Sequence, residues 1–258
     1  MSIKFTILGC GYSMGVPRID GFFGRCDPKN KKNYRTRCSA LISSKNLNIL
    51  IDTSPDLREQ LIKNKVKSID KIFYTHHHAD QTHGINDLRV FYLKNKTKLN
   101  VYADDQTQKY LLKSFNYCFR NQGLSYPPIM NMLDLKDNHK FVDKKNNIEL
   151  KSVVVKHGNI NSICYIINKK CAYASDISKI YDYDIKLFFN LKYLIIDCLR
   201  YDPHYSHFNL KNVLDLVKVI KPEKTILTNL NHEMDYNQLK KKLPNNITPA
   251  FDGMTLLI

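Results

Sequence analysis

The strand-like segment "KIFYT", residues 71–75, runs directly into "HHHADQTH", which holds four histidines and one aspartate in eight positions. Residues two apart in an extended chain point the same way, so we expect His76 and His78 to converge while His77 turns away. Paired imidazoles at a rigid strand end are typical metal ligands. This cluster therefore predicts a strand-rich fold with a metal centre at the ends of its strands.

Two further strand-like segments end in side chains of the same kind. Strand 148–156 is followed by His157, and strand 171–175 is followed by Asp176. Together these ligands suit zinc, iron or manganese, and a metal-bound hydroxide would then be available as a nucleophile near neutral pH. Taken singly, each histidine is as well explained as a solvated loop residue or a strand cap. The complete set favours a metal.

Helical and strand-like patterns alternate along the whole chain. A first strand is predicted at 3–8, a hairpin from 39–44 and 47–52, and a helix at 54–66 with Ser54 at its N-cap. Further helices are predicted at 85–93, 106–119 and 209–221, and further strands at 99–103, 162–168, 170–176, 193–199, 224–229 and 254–258. No repeat or linker interrupts this order, so we predict one α/β domain spanning residues 1–258, with two sheets and outer helices.

The composition narrows the class of partner and the compartment. The net charge is +16, but the lysines fall in separate runs at 29–32, 63–67, 94–98 and 240–242. A nucleic-acid footprint clusters on one face, so a small anionic substrate is favoured over RNA. Seven scattered cysteines without paired spacing argue against a disulfide framework. No apolar run approaches the roughly 20 residues that span a bilayer, and the chain start lacks a signal-peptide pattern. We therefore predict a cytoplasmic protein without a membrane partner.

Several motifs occur in an order that resembles a known superfamily. They are "ILGCGYSMGVP" (7–17), "LIDTSPDLREQL" (50–61), "THHHAD" (75–80), "VVKHG" (154–158), "YASD" (173–176) and "ILTN" (226–229). Together they resemble the metallo-β-lactamase fold superfamily, and most closely the branch that contains the phosphoribosyl 1,2-cyclic phosphate phosphodiesterase. RNase Z is a more distant relative. The resemblance implies a four-layer αββα sandwich with two mixed sheets and outer helices, and a metal-dependent hydrolase.

The resemblance also implies two neighbouring metal sites, of which this chain keeps only one intact. The ligands of the first site would be His76, His78, His157 and Asp176. Those of the second would be Asp80, the bridging Asp176 and two histidines, whose places are taken here by Gln81 and Asn229. Amide and carboxylate oxygens favour manganese or magnesium over zinc. The chain is therefore expected to hold one or two divalent metals, with the second site either manganese- or magnesium-binding or empty.

Further residues take roles by the same resemblance. His207 is the first choice for protonating the leaving oxygen and His204 the second, although either could instead be a loop hydrogen-bonder. Asp80 is expected to be catalytic, and Asp52 to orient a metal-binding histidine. Independently of the resemblance, Arg35 and Arg37 could hold a phosphate or pair with loop carboxylates such as Asp27, and the structural role is favoured.

Three functions are compatible with these residues. The first is a phosphodiesterase acting on a cyclic phosphate or a nucleotide-like molecule. The second is a single-metal hydrolase of a thioester or another carboxylic ester, suggested by Gln81 and Asn229. The third is a non-catalytic, metal-stabilised protein that binds a nucleotide or RNA. A homodimer is compatible with all three.

Overall fold

The computed structural model of the chain describes residues 3–123 and 127–258. The chain start, on which the signal-peptide expectation partly rests, includes two residues outside this part. The described strands are β1 (Lys4–Gly9), β2 (Ser39–Ser43), β3 (Asn48–Ile51), β4 (Lys71–Phe73), β5 (Leu99–Ala103), β6 (Met130–Asp134), β7 (Lys140–Asp143), β8 (Ile148–His157), β9 (Ile160–Ile167), β10 (Cys171–Ala174), β11 (Lys179–Ile180), β12 (Tyr193–Asp197), β13 (Lys224–Thr228), β14 (Ile247–Pro249) and β15 (Met254–Leu257).

The described helices are α1 (Leu57–Lys63), α2 (Ala79–Thr82), α3 (Arg89–Asn95), α4 (Asp105–Ser114), α5 (Asn116–Phe119), α6 (Leu210–Ile220) and α7 (Tyr236–Lys242), with single 3-10 turns at Lys31–Asn33, Ile85–Leu88 and Ile185–Phe188. Among residues 3–123 and 127–258, no helix combines the length and apolar character that crossing a membrane requires.

The strands form two mixed sheets. The first has the order β15-β1-β2-β3-β4-β5-β6, and the second the order β11-β8-β9-β10-β12-β13-β14, with β7 paired to β8. In each sheet, antiparallel neighbours in one part give way to parallel ones in another, as β3, β4 and β5 do in the first. The two mixed sheets with helices confirm the predicted fold class.

Alternation along the strands explains how the layers stack. On β3, Ile49 and Ile51 face a core shared with residues of the second sheet, whereas Leu50 belongs to a cluster with helix residues. On β12, Ile195 faces the shared core, and its neighbours pack towards α6. Because successive strand residues point to opposite faces, strands buried on both sides read as continuous apolar runs. The result is helix, sheet, sheet, helix.

Some predicted boundaries were wrong. Helix α1 begins at Leu57 and not near Ser54, because the Ser54 hydroxyl accepts a hydrogen bond from the Asp56 backbone N–H in a tight turn before the helix. The helix predicted at 106–119 is divided at Phe115 into α4 and α5. The sequence pattern also missed several short elements, namely α2, β6, β7, β11, β14 and α7.

One edge of the two sheets collects the ends of several strands. The chain leaves β4 towards His76, β8 ends at His157, and β10 leads to Asp176. Strands β10, β12 and β13 run parallel, so Asp197 at the end of β12 and Asn229 after β13 reach the same edge. Polar side chains predicted from separate segments thus meet where the sheets end.

Candidate metal centre

His76 and His78 follow β4 and turn towards each other. His76 Nε2 lies 2.9 Å from His78 Nδ1. His76 is buried, and His78 is exposed towards the cavity that it lines. The His77 ring instead lies against Tyr110, 5.8 Å between ring centroids. The alternation expected for an extended segment therefore places the outer two imidazoles together.

His157 completes a group of three imidazoles. Its ring centroid lies 5.0 Å from that of His76 and 5.2 Å from that of His78, and one nitrogen from each ring falls within 4.8 Å of the other two. His157 Nδ1–H donates to the carbonyl oxygen of Ser206 at 2.7 Å. This bond leaves Nε2 as the nitrogen with a free lone pair.

A relay of hydrogen bonds fixes the protonation of His76. The hydroxyl of Thr75 donates to Asp52 Oδ2 at 2.8 Å, and its oxygen lies 3.1 Å from His76 Nδ1. Because the single hydroxyl hydrogen is given to Asp52, the oxygen can only accept from His76 Nδ1–H. His76 Nε2 therefore keeps its lone pair. Asp52, which we expected to orient a metal-binding histidine, reaches His76 through the hydroxyl of Thr75.

The imidazoles carry the chemistry that a transition metal requires. Burial lowers the pKa of His76 well below its ordinary value, lowers that of His78 to about 4 and lowers that of His157. All three rings are then neutral at pH 7, with lone pairs available as ligands. This donor set fits zinc, iron or manganese.

Asp176 adjoins the three imidazoles through His157. Its carboxylate groups with His157 and His207, one ligand atom of each lying within 4.8 Å of the others. Burial raises the pKa of both Asp176 and Asp80 to about 6, and for Asp80 the neighbouring Asp176 adds to the effect. Two buried, neighbouring carboxylates therefore give this part of the site a negative electrostatic potential at pH 7.

Gln81 and Asn229 were expected to offer amide oxygens to a second metal. In the structure, their amide nitrogens face the carboxylates instead. Gln81 Nε2 donates to Asp80 Oδ2 at 3.2 Å and to Asp176 Oδ2 at 3.1 Å. Asn229 Nδ2 donates to Asp176 Oδ1 at 3.3 Å and to Asp197 Oδ1 at 3.2 Å. An N–H donor cannot bind a cation. The two side chains, predicted as metal ligands through oxygen, do not fit that role in this arrangement.

The two other nearby histidines do not supply the missing imidazoles. His83 is exposed, and its Nε2 lies 2.8 Å from the hydroxyl of Tyr110. His232 Nδ1 lies 2.9 Å from the hydroxyl of Tyr12. Within the described residues, neither belongs to a group that could hold a metal.

His207 is the better placed of the two predicted proton donors. Its Nδ1–H donates to Asp197 Oδ2 at 2.6 Å. Burial opposes protonation of His207, but the carboxylates of Asp197, Asp176 and Asp80 together outweigh burial and raise the pKa to about 9. His204 Nδ1 instead lies 3.1 Å from the hydroxyl of Ser206, and burial lowers its pKa. Both histidines line the same cavity.

Asp197 is a site residue that the sequence analysis did not single out. It is fully buried and also accepts a hydrogen bond from the backbone N–H of Ile177 at 3.1 Å. A signal was present, because Asp197 ends the apolar run "YLII" at the same edge of the sheet as Asp176.

Arg35 and Arg37 have structural roles. The buried Arg35 guanidinium donates to the carbonyl oxygens of Asn231 and Met234 at 3.1 and 2.6 Å, which ties the loop after β1 to the loop after β13. Arg37 pairs with Asp56 at 3.0 Å. We expected both arginines to pair with loop carboxylates such as Asp27. Arg37 does pair with a carboxylate, that of Asp56, whereas Arg35 donates to carbonyl oxygens.

A cavity of about 520 Å³ opens above this edge. Its floor contains His78, Asp80, His157, Asp176, His207 and Asn229. Its walls come from three loops, which follow β1, β12 and β13 and supply Tyr12, Met14, Leu199, Arg200, Tyr205 and His232. The cavity therefore combines the imidazole cluster with cationic and aromatic groups within reach of one small molecule.

Comparison with known proteins identifies the superfamily of the chain and solved structures that resemble it. A family profile described as "Beta-lactamase superfamily domain" matches residues 47–229. A solved structure described as a new diphosphatase from the PhnP family is 30% identical, with a TM-score of 0.91, and the match covers 100% of this chain and 98% of that one. Human short-form tRNase Z (ELAC1) is 18% identical, with a TM-score of 0.69 and 98% of both chains covered, which shows a shared fold.

A curated protein adds a different name. The octanoyltransferase of Porphyromonas gingivalis (strain ATCC BAA-308 / W83) is 28% identical over 259 residues. The match covers 99% of this chain and 52% of that protein, so the chain spans about half the length of this relative.

Proposed function

The chain belongs to the beta-lactamase superfamily and, within it, to the PhnP family, and on this premise we propose that it hydrolyses a phosphodiester bond in a small anionic molecule. A cyclic phosphate or a nucleotide-like compound is the substrate class that we favour. The observation that carries the proposal is the convergence of His76, His78 and His157, beside Asp176, at a cavity lined by His78, His157, Asp176 and His207.

The metal of this centre would be held by the three imidazoles and Asp176. When bound, a divalent transition metal supplies Lewis acidity to a phosphoryl oxygen and activates water near neutral pH. The chain holds its ligands ready for this role. His157 is oriented by Ser206, and His76 by Thr75 and Asp52.

His207 supplies the proton for the leaving oxygen. Its Nδ1 is engaged by Asp197 at 2.6 Å, which fixes the ring and leaves Nε2 as the proton-carrying nitrogen that can face a substrate. Cleavage of the P–O bond transfers this proton to the departing oxygen, and His207 recovers it from solvent through the open cavity. Asp197 acts by positioning the ring and stabilising its charged form.

The cavity supports an anionic and partly aromatic substrate. Arg200 and His232 lie in its wall, where they can face a negative group, and Tyr12 and Tyr205 offer aromatic surface. Because Arg200 donates to the carbonyl oxygens of Asp202 and Pro203, its position is set by its own loop. The 30% identical relative is described as a diphosphatase, which supports phosphorus–oxygen chemistry in this branch.

A substrate panel tests the proposal. Untagged protein loaded with zinc, manganese or iron is assayed with bis(p-nitrophenyl) phosphate, a 2′,3′-cyclic nucleotide, p-nitrophenyl acetate and an octanoyl thioester. We expect turnover of the phosphodiesters that His78→Ala abolishes and that His83→Ala, which removes an exposed imidazole of the same segment, retains. Phosphodiester turnover that survives in folded His78→Ala would overturn the assignment.

A second function is favoured by a specific observation. The curated relative named octanoyltransferase aligns with nearly the whole of this chain, which directs attention to acyl esters and thioesters. That name describes a protein about twice as long, so half of it lies outside the alignment. Hydrolysis of the octanoyl thioester without phosphodiester turnover would favour this second function. Nucleic-acid binding with a steep salt dependence and no turnover of any substrate would favour a binding protein.

A further inference from the structure

We infer that this chain binds a single metal ion, and that the amide nitrogens of Gln81 and Asn229 occupy the place of the second. The inference rests on the proposed metal centre but not on its substrate. It concerns the part of the site in which the residues present do not fit a metal.

Asp176 is the centre of the arrangement. Its Oδ2 accepts from Gln81 Nε2 at 3.1 Å, and its Oδ1 accepts from Asn229 Nδ2 at 3.3 Å. Each amide also reaches a second carboxylate, Asp80 for Gln81 and Asp197 for Asn229, both at 3.2 Å. Each nitrogen therefore bridges two carboxylates, as a cation placed between them would.

Chemistry fixes the orientation of the two amides. A rotated amide would place its oxygen 3.1 to 3.3 Å from two carboxylate oxygens, and acceptors facing each other in a buried site repel. The orientation is adopted even though Gln81 Oε1 is left buried without a partner among the described residues. Two charge-assisted bonds to carboxylates therefore outweigh one unpaired amide oxygen.

The arrangement is compatible with the first metal. A carboxylate oxygen has two lone pairs, so an Asp176 oxygen that accepts an amide hydrogen can still bind a metal beside His157. The lone pairs that accept from the amides, in contrast, are not available to a second metal. The side chains of Gln81 and Asn229 are almost fully buried, which keeps water from replacing the two amides.

The histidines nearest in sequence to the two amides, His83 and His232, do not restore a second set of ligands. His207 groups with His157 and Asp176, but its Nδ1 is engaged by Asp197 at 2.6 Å. His83 is held at Tyr110, and His232 is held at Tyr12. The two imidazole ligands that the resemblance implies at positions 81 and 229 are thus supplied neither by the sequence at those positions nor by a neighbouring described histidine. The carboxylates that would otherwise repel one another are held together by neutral donors, so the edge of the site needs no second cation to be stable.

Metal stoichiometry tests the inference. Untagged protein is equilibrated with excess manganese or zinc, freed of unbound metal by gel filtration, and analysed by elemental mass spectrometry. We expect about one ion per chain, because only the first ligand set is complete. Two ions per chain in the wild type would overturn the inference, whether or not the protein hydrolyses any substrate.

Variants make the test specific. In Gln81→His/Asn229→His, imidazoles replace both amides, and we expect a second bound ion. Asn229 has a φ of 59°, a left-handed conformation that histidine tolerates better than most residues. Each single variant keeps one bridging amide, and we expect it to bind one ion. A folded double variant, judged by circular dichroism, that still binds one ion would contradict the inference. If the double variant does not fold, the wild-type stoichiometry alone decides.

The stoichiometry also separates this inference from the proposed function. One ion in a protein inactive on phosphodiesters would leave the inference standing and remove the proposed reaction. Two ions in an active phosphodiesterase would do the reverse. His78→Ala should lose the first ion, which identifies the site that is filled in the wild type.

Discussion

The hydroxyl of Thr75 donates a 2.8 Å hydrogen bond to Asp52, and this bond decides which nitrogen of His76 can bind a metal. Asp52→Asn reverses the direction of the relay. The new amide donates to the Thr75 oxygen, the hydroxyl hydrogen turns to His76 Nδ1, and the imidazole proton moves to Nε2. We expect metal affinity to fall by about 10–100-fold, measured by competition with a chromogenic chelator.

Thr75→Ser is the matched control for this relay. It keeps the hydroxyl and should change the affinity little, whereas Thr75→Val should resemble Asp52→Asn. Equal metal affinity in the wild type and a folded Asp52→Asn variant would contradict the relay.

Gly158 lets the loop that holds Ser206 approach the centre. It has a φ of 59°, and a Cβ there would lie 2.7 Å from Ser206 Cβ. Gly158→Ala should therefore displace the Ser206 carbonyl that orients His157, which lowers turnover. It should also lower the free energy of unfolding, by more than the roughly 1 kcal/mol that a left-handed alanine costs. Urea unfolding and steady-state kinetics measure the two effects.

Gly123→Ala separates backbone strain from the clash. Gly123 has a φ of 68°, and among residues 3–123 and 127–258 a Cβ there would meet nothing within 4 Å. The Gly123→Ala variant should lose about 1 kcal/mol of the free energy of unfolding and keep its turnover. If both variants behave alike, close packing against Ser206 has no role in the site.

His207 is expected to act as a proton donor, and its loss should depend on the leaving group. With an alcohol leaving group, His207→Gln should lower kcat/KM by about 10²–10⁴-fold. With p-nitrophenolate, which leaves without protonation, the fall should be much smaller. A merely structural role would lower both rates equally, so kcat/KM across a series of leaving groups tests the role. His204→Gln should show no such dependence.

Asp252 should make stability depend on pH away from the metal centre. It accepts from the backbone N–H groups of Cys10 and Thr36, and burial raises its pKa to about 6. The folded chain then holds this proton up to pH 6, whereas the unfolded chain releases it near 4. Protonation of Asp252 therefore adds most to the free energy of unfolding below pH 4. This addition, up to about 3 kcal/mol, is lost as the pH rises through 6.

Asp252→Asn removes this titration. The free energy of unfolding of the wild type and the variant is measured by urea unfolding between pH 4 and 8. The difference between the two should change as the pH rises from 4 through 6 and level off above about pH 7. Only the change with pH reports Asp252, because the lost hydrogen bonds add a constant offset. Parallel curves would show that Asp252 ionises normally in the folded state.

The sequence was sufficient for the fold class and for the superfamily, both of which are confirmed. Alternation in segments such as "NILI" and apolar runs such as "YLII" report burial directly, since strand residues face opposite sides by geometry. Short strands such as Lys179–Ile180 escaped notice, because two residues carry no periodicity. The start of α1 was misplaced, because the Ser54 hydroxyl serves a turn as readily as a cap.

At the site, the sequence determined which residue types stand at the strand ends, because a strand delivers its final side chains to one edge. It also revealed that two expected imidazoles are amides. Only the tertiary structure decided which amide atom faces the carboxylates, and that Asp197 holds His207. These contacts join residues far apart in the chain, 95 positions for Gln81 and Asp176 and 53 for Asn229 and Asp176. Their direction depends on buried donors and acceptors meeting at one point, a condition that no local pattern encodes.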